Sequence, residues 1–263
     1  MNNNCIIIKK KRKQEKIKLI LYQIIVLVSF LTIWELLAYY NIINTFIFSK
    51  PSDIFKLLIR YIDNNEIFNH LRVSVIETVL GIIIGSTLGI IIAILLWYFE
   101  LVQKILNPFL NVLNALPKTA LAPIMIIWAG TGISGIVVVA ISILLIITVL
   151  STYNFFINVD EEKIKMMKSF SASKLQIFTK LVFPSNIRNI ASVIKINIGM
   201  SWVGVIVGEF LVSKEGLGYL IMYGGQVFKL DLVMMGVLVL AICAFLMNVL
   251  VEWIEKIILK GRD

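Results

Sequence analysis

The sequence predicts an all-α polytopic membrane protein with about six transmembrane helices, on three observations. Of 263 residues, 59% are hydrophobic and only 16% charged, at a mean hydropathy of +0.92, which is too apolar for a water-soluble globule. Six apolar runs, each near the roughly 20 residues that cross a bilayer as helix, follow one another along the chain. The cations concentrate in alternate connections: with the N-terminus inside, 17 of the 25 Lys and Arg residues fall on the inner side, 6 outside and 2 within spans. The formal charge of +9 is therefore a topology signal, which removes the argument for nucleic acid, and both termini are expected to be cytoplasmic.

Residues 1–18 read as a basic cytoplasmic tail and 19–263 as one transmembrane domain. Lys9-Lys10-Lys11-Arg12-Lys13 before the first run, 19–40, has the outline of a secretory signal. The run is too long and lacks a small-residue cleavage site, so an uncleaved signal-anchor is expected. In the outer segment 41–71, Pro51-Ser52-Asp53 is a helix-start signal. The spacing of Ile54, Phe55, Leu57, Leu58, Tyr61 and Ile62 after it predicts a short amphipathic helix on the outer face. The second run is 73–98. The third, 105–128, carries Pro117 and Pro123 and is parted from the fourth, 134–157, by a tight turn at Gly130 and Gly132. The fifth and sixth are 190–212 and 232–254.

Four features carry functional options. Gly81, Gly85 and Gly89 bare one face of the second span for close packing, either within the chain or against a second one. Glu35, Glu77, Lys118, Lys195 and Glu209 are charged groups in apolar runs and each needs a partner, a wet cavity or a route to the interface. Glu35 and Glu77 fall within about a turn of a surface, and Lys195 is near enough to the inner face to snorkel. Asn114, Lys118 and Thr119, in a third span that also holds Asn107 and Asn111, give the broken polar character of a pathway-lining helix; Asn197, Ser201, Trp202 and Glu209 give the fifth span a similar character. The inner loop, about 158–188, places acids at a helix start and then Ile164, Met167, Phe170, Leu175 and Phe178 at roughly helical intervals, with Ser171-Ala172-Ser173 as a break. Two short helices and a turn fit, either resting on the inner leaflet or presenting Met and Phe to a cytoplasmic partner.

There is no phosphate loop, no H-E-x-x-H and no G-x-S-x-G, so the chain is expected not to be an enzyme. Cys5 and Cys243 lie in contexts too different for a pair, and the single His70 excludes zinc sites built on two imidazoles; no metal or other cofactor is expected.

The run Asn114-Ala115-Leu116-Pro117-Lys118-Thr119-Ala120-Leu121-Ala122-Pro123, with Trp128-Ala129-Gly130-Thr131-Gly132, resembles the third span and turn of permeases of binding-protein-dependent ABC importers, of the nitrate, sulfonate and taurine type. Pro51-Ser52-Asp53 resembles that family's outer helix start. Gly208-Glu209 with Gly216-Leu217-Gly218-Tyr219-Leu220-Ile221 resembles the end of its fifth span and the loop beyond. The likeness implies that the inner loop is the EAA segment, whose coupling helix docks on the ATPase. Aligned on Ser169-Phe170-Ser171-Ala172-Ser173 and Phe183-Pro184, the Glu-Ala-Ala positions fall on Lys165, Met166 and Met167, and the usual glycine on Ser171.

The assembly so implied has cytoplasmic ABC ATPase subunits that supply the hydrolysis, an extracytoplasmic solute-binding protein and a second permease copy, in the cell membrane. The implied solute is a sulfonate-, taurine- or nitrate-like anion, or a heterocyclic nutrient such as a thiamine precursor. Alternatives of other classes are a self-contained proton-coupled secondary transporter relaying protons through Glu35, Glu77 or Glu209, and a membrane scaffold.

Overall fold

A computed structural model describes residues 3–259. Those residues form thirteen α-helices and no strand. The helices are α1 (Asn3–Tyr39), α2 (Thr45–Phe48), α3 (Pro51–Asp63), α4 (Glu66–Tyr98), α5 (Glu100–Ala115), α6 (Ala122–Ala129), α7 (Ile133–Ile157), α8 (Glu161–Ser169), α9 (Lys174–Ile177), α10 (Phe183–Ser185), α11 (Ile187–Val212), α12 (Leu217–Gln226) and α13 (Leu230–Leu259).

Five helical stretches are long and apolar enough to span: Ile17–Tyr39, Glu66–Tyr98, Ile133–Ile157, Ile187–Val212 and Leu230–Ile257. The third apolar run is not one straight helix. α5 and the Lys118–Ala129 arm meet at 88°. Leu116 has ψ 141° because the Pro117 ring disfavours helix at the residue before it, and Pro123 restarts the chain at the first turn of α6. At the far end of α6, Gly130 (φ +89°) and Gly132 (φ +100°) make the expected tight turn, in backbone conformations that a Cβ disfavours. α1 runs from Asn3 through the basic segment into the first apolar run without a break; Lys and Arg are good helix formers.

The centre of the molecule is the trio α4, α7 and α11. The Gly81, Gly85 and Gly89 face packs within the chain: a Cβ at Gly81 would lie 2.7 Å from Ser201 Oγ, and one at Gly89 2.7 Å from Thr148 Cβ, while Gly85 sits on Leu144. Gly204 and Gly208 of α11 return the arrangement against Ala140 and Ile136. Backbones this close exclude side chains but permit polar cross-links. Asn197, wholly buried, donates to Ser86 Oγ (2.9 Å) and Thr148 Oγ1 (2.8 Å), so one amide ties all three helices together.

Two apolar clusters lie on opposite sides of this trio. The outer one joins Ile54 and Ile67 to Ile198, Trp202, Leu217, Leu220, Leu232, Met235 and Val239. The inner one seats Ile177, Phe178 and Val182 of the inner loop on Ala93, Phe156 and Ile190. From Ile17 to Phe30 the apolar side chains of α1 stay exposed; only its last turns are covered, with Ala38 buried and Trp34 packed on the outer cluster, and the helix touches the remainder mainly through α3. There Glu35 accepts from the backbone N–H (3.0 Å) and hydroxyl (2.8 Å) of Ser52, placing an anion at the start of α3. Lys195 pairs with Glu255 at 2.5 Å, joining α11 to α13.

Candidate functional site

The inner loop is two capped helical turns around a hinge. Asp160 accepts from Glu162 N–H at 2.9 Å to start α8, and Ser173 and Gln176 form a reciprocal capping box at α9. Between them Ser171 adopts φ +55°, the left-handed conformation that glycine takes at least cost, at the position where the family resemblance puts glycine. Ser171→Gly is therefore expected to stabilise the hinge by about 0.5–1 kcal/mol, the relieved strain less the added backbone entropy. Slower amide exchange through residues 169–173 would register the gain, and faster exchange would mean that the serine side chain holds the turn.

The loop has two faces. Ile164, Met167 and Ala172 turn toward the bundle, where Phe178 wedges against Trp97 (centroids 5.1 Å), Phe156 (5.4 Å) and Phe183 (5.9 Å). Lys174 pairs with Glu100 at 3.2 Å and sits 5.6 Å from the ring centres of both Trp97 and Tyr98. Outward stand Met166 (54% exposed), Phe170 (77%) and Leu175 (60%). The helical spacing alone grouped Phe170 and Leu175 with Phe178; the Ser171 turn breaks the helix between Phe170 and Leu175, and both of these stand at the surface while Phe178 is buried. Lys165 pairs with Glu161 (3.4 Å) on the exposed side, Ser169 Oγ donates to the Met166 carbonyl (2.7 Å), and Pro184 lies in the first turn of α10.

The polar residues of the spans separate into two groups. Asn114, Lys118 and Thr119 lie on the outer surface of the chain at the 88° break, where Lys118 Nζ donates to the Asn114 carbonyl (3.0 Å) that the break leaves open. Asn197, Ser201, Trp202 and Glu209 lie inside the bundle. Ser201 Oγ donates to the Thr78 carbonyl (3.0 Å), and Trp202 is 4% exposed in the outer cluster.

Glu209 belongs to a cluster that the sequence did not reveal. Its carboxyl accepts from Ser74 Oγ (2.5 Å) and Gly218 N–H (2.5 Å), while Ser74 Oγ accepts from Leu217 N–H (2.7 Å) and His70 Nδ1 from Gly216 N–H (3.0 Å). The first turn of α12 is thus held by side chains of α4 and α11. Glu77, one turn along α4 from Ser74, is also buried (1% exposed), and its Oε2 atom has no hydrogen-bond partner. The available signal was the Gly216-Leu217-Gly218 pattern, because a Cβ at either glycine would strike the Glu209 carboxyl.

The chain is similar in sequence and in fold to known proteins. The chain is 26% identical to the putative aliphatic sulfonates transport permease protein SsuC of Bacillus subtilis, over 89% of this chain and 84% of that one. It is 23% identical to the taurine transport system permease protein TauC of Escherichia coli (83% and 81%). It is 28% identical to the formylaminopyrimidine transport permease protein ThiX of Halalkalibacterium halodurans (78% and 86%). Its fold is similar to a chain of the inward-facing MetNI methionine ABC transporter, with TM-score 0.59 and 15% identity over 69% of this chain and 93% of that one. The family described as binding-protein-dependent transport system inner membrane component matches residues 85–262, more than half of the sequence, and the chain belongs to that family.

Proposed function

We propose that this permease imports a small organic anion of the sulfonate or taurine kind, handed over by an extracytoplasmic binding protein and driven by ATPases on separate cytoplasmic subunits. The observation that carries the reading is the inner loop. Met166, Phe170 and Leu175 offer an apolar knob outward while Phe178, in the same segment, is wedged between α4 and α7. A force applied to the knob reaches the glycine-packed trio through one aromatic contact. Because that trio is close-packed, it responds as a body, as a two-state element does when a partner prefers one of its states. Both termini are cytoplasmic in this reading, and a second permease copy completes the pathway.

Asn114, Lys118 and Thr119 line that pathway from this side, on the exposed break of the third span, and Asn197, Ser201, Trp202 and Glu209 brace the wall behind them. An ammonium among amides suits an anion. Lys118→Ala is expected to reduce uptake roughly tenfold or more, the scale of one charge-assisted hydrogen bond, without loss of ATPase binding. Uptake of radiolabelled taurine or an alkanesulfonate into proteoliposomes holding the whole complex measures it, and unchanged uptake takes Lys118 off the pathway.

A heterocyclic solute is the second reading, favoured by the likeness to the formylaminopyrimidine permease. The test of the proposal as a whole is affinity purification of the tagged chain from its host's membranes. An ATPase together with a solute-binding protein supports the importer, and the binding protein then identifies the solute. A homogeneous chain with no nucleotide-binding partner rejects the assembly.

A further inference from the structure

The ends of α4 and α7 and the inner loop enclose a cavity of about 460 Å³. Trp97, Tyr153, Phe156 and Ile157 line it from the bundle and Ile164 and Ile177 from the loop, so its wall is mainly apolar and aromatic, as in sites for small molecules. Glu100, Glu161, Lys168 and Lys174 stand among them. Three of these charges are paired: Lys174 with Glu100 at 3.2 Å, and Glu161 with Lys165 at 3.4 Å. Lys168 has no carboxylate within ion-pair distance among the described residues, which leaves the cavity one uncompensated positive charge.

The level of the cavity narrows what fills it. Tyr98 and Ile157 are the last residues of two spans, Glu66–Tyr98 and Ile133–Ile157. Trp97, Tyr98 and Tyr153 collect at that level, as aromatic side chains do beside lipid headgroups. An apolar wall with an ammonium at its rim suits an amphipathic anion, and at the membrane surface that anion is a phospholipid. Its phosphate meets Lys168, and its glycerol and the start of an acyl chain lie against Trp97 and Ile157. The bilayer offers such a molecule at every moment, whereas a soluble anion must be gathered from water.

We propose that this cavity seats the headgroup of an anionic phospholipid of the inner leaflet, and that the bound lipid ties the coupling loop to the bundle. The proposal rests on the reading of the inner loop as the cytoplasmic coupling element. Because the walls come from α4 and α7 on one side and α8 and α9 on the other, an occupant bridges the gap that Phe178 already spans by its rings' contacts. The aromatic wedge thus gains a second, removable tie beside it. Lys174 is held by Glu100 and lies over the rings of Trp97 and Tyr98, so it shapes the rim, while the exposed Lys168 of α8 reaches the phosphate.

The test takes the full chain, purified with its partners, in nanodiscs of phosphatidylcholine with or without phosphatidylglycerol. Benzoylphenylalanine in place of Ile157, a half-exposed residue of the cavity wall, captures the neighbouring lipid under ultraviolet light. Phosphatidylglycerol should be captured about fivefold above its share of the bilayer, the scale of one lysine at a charged membrane surface. Lys168→Glu should reduce capture to that share. Lys163→Glu, which removes a lysine paired with Asp160 and absent from the cavity wall, should leave the enrichment in place. Amide exchange at residues 161–168 should be slower with phosphatidylglycerol than without it in the wild type, and indifferent to it in Lys168→Glu. Capture in proportion to bilayer share in the wild type, or enrichment that survives Lys168→Glu, overturns the headgroup site. Wild-type exchange that ignores the lipid overturns the tie. Glycerol 3-phosphate added to phosphatidylcholine nanodiscs tests a soluble source: if it slows exchange as phosphatidylglycerol does, the occupant is a free phosphate ester and the lipid is overturned. Where benzoylphenylalanine shifts the elution volume of the permease, native mass spectrometry of retained phosphatidylglycerol replaces it for the same variants. Capture is read on the permease itself, so an absent ATPase rejects the importer assembly without deciding the lipid site.

Discussion

Phe170→Asp is expected to abolish co-purification of the ATPase while leaving the permease folded. The phenyl ring is 77% exposed, so little packing inside the chain is lost and the effect on stability stays within about 0.5 kcal/mol. In the proposed complex the same ring fills a groove of the ATPase. Losing its burial costs about 1.5–3 kcal/mol, and a carboxylate left in an apolar groove costs at least as much again. Together these exceed about 3 kcal/mol, more than a hundredfold in affinity. The measurement is the ATPase to permease ratio after affinity purification, with the elution volume of the permease as the check on folding. A retained ATPase would place docking elsewhere on the chain.

Gly89→Leu is expected to disrupt the bundle itself. A Cβ there would sit 2.7 Å from both Cβ and Cγ2 of Thr148, and these belong to a helix whose position is set by many other contacts. Separating α4 from α7 costs about 1–3 kcal/mol in overpacking. It also pulls Thr148 away from Asn197, and an unpaired amide at the centre costs roughly another 1–3 kcal/mol. Gly199→Leu is the control, because nothing lies within 4 Å of a Cβ at that position. Thermal denaturation in detergent should fall sharply for the first variant and barely move for the second. Equal loss in both would mean that helix propensity or lipid contact, not the α4–α7 approach, sets stability.

Much of this architecture is legible in the sequence because the membrane simplifies the reading. Spans announce themselves by length and hydropathy, and the break in the third one by Pro117 and Pro123. The Gly130 and Gly132 turn and the capped inner loop are likewise local signals. Pairing is not local. Ser74 and Glu209 are 135 residues apart, and nothing in either neighbourhood says that Glu209 turns inward to serve α12. Periodicity also fails wherever a helix breaks. Helical intervals from Ile164 run through Phe170, Leu175 and Phe178, but a residue at φ +55° interrupts the helix after Phe170, and only Phe178 of the three is buried. The partner of Lys195 is equally non-local, since Glu255 lies two helices further along the chain.

The nearly bare first span has a consequence for how the protein is made. α1 engages the rest of the chain at its outer end, where Glu35 meets Ser52, and otherwise offers its apolar side chains to whatever surrounds it. Its insertion therefore waits for nothing downstream. Once Ser52 follows, α3 is tied to the end of α1 by a carboxylate already in position. The later trio, by contrast, has no stable arrangement until α11 brings Asn197 between Ser86 and Thr148. A chain ended between α7 and residue 197 would keep the contacts of Gly85 and Gly89 with α7 but lack the amide that joins the three helices.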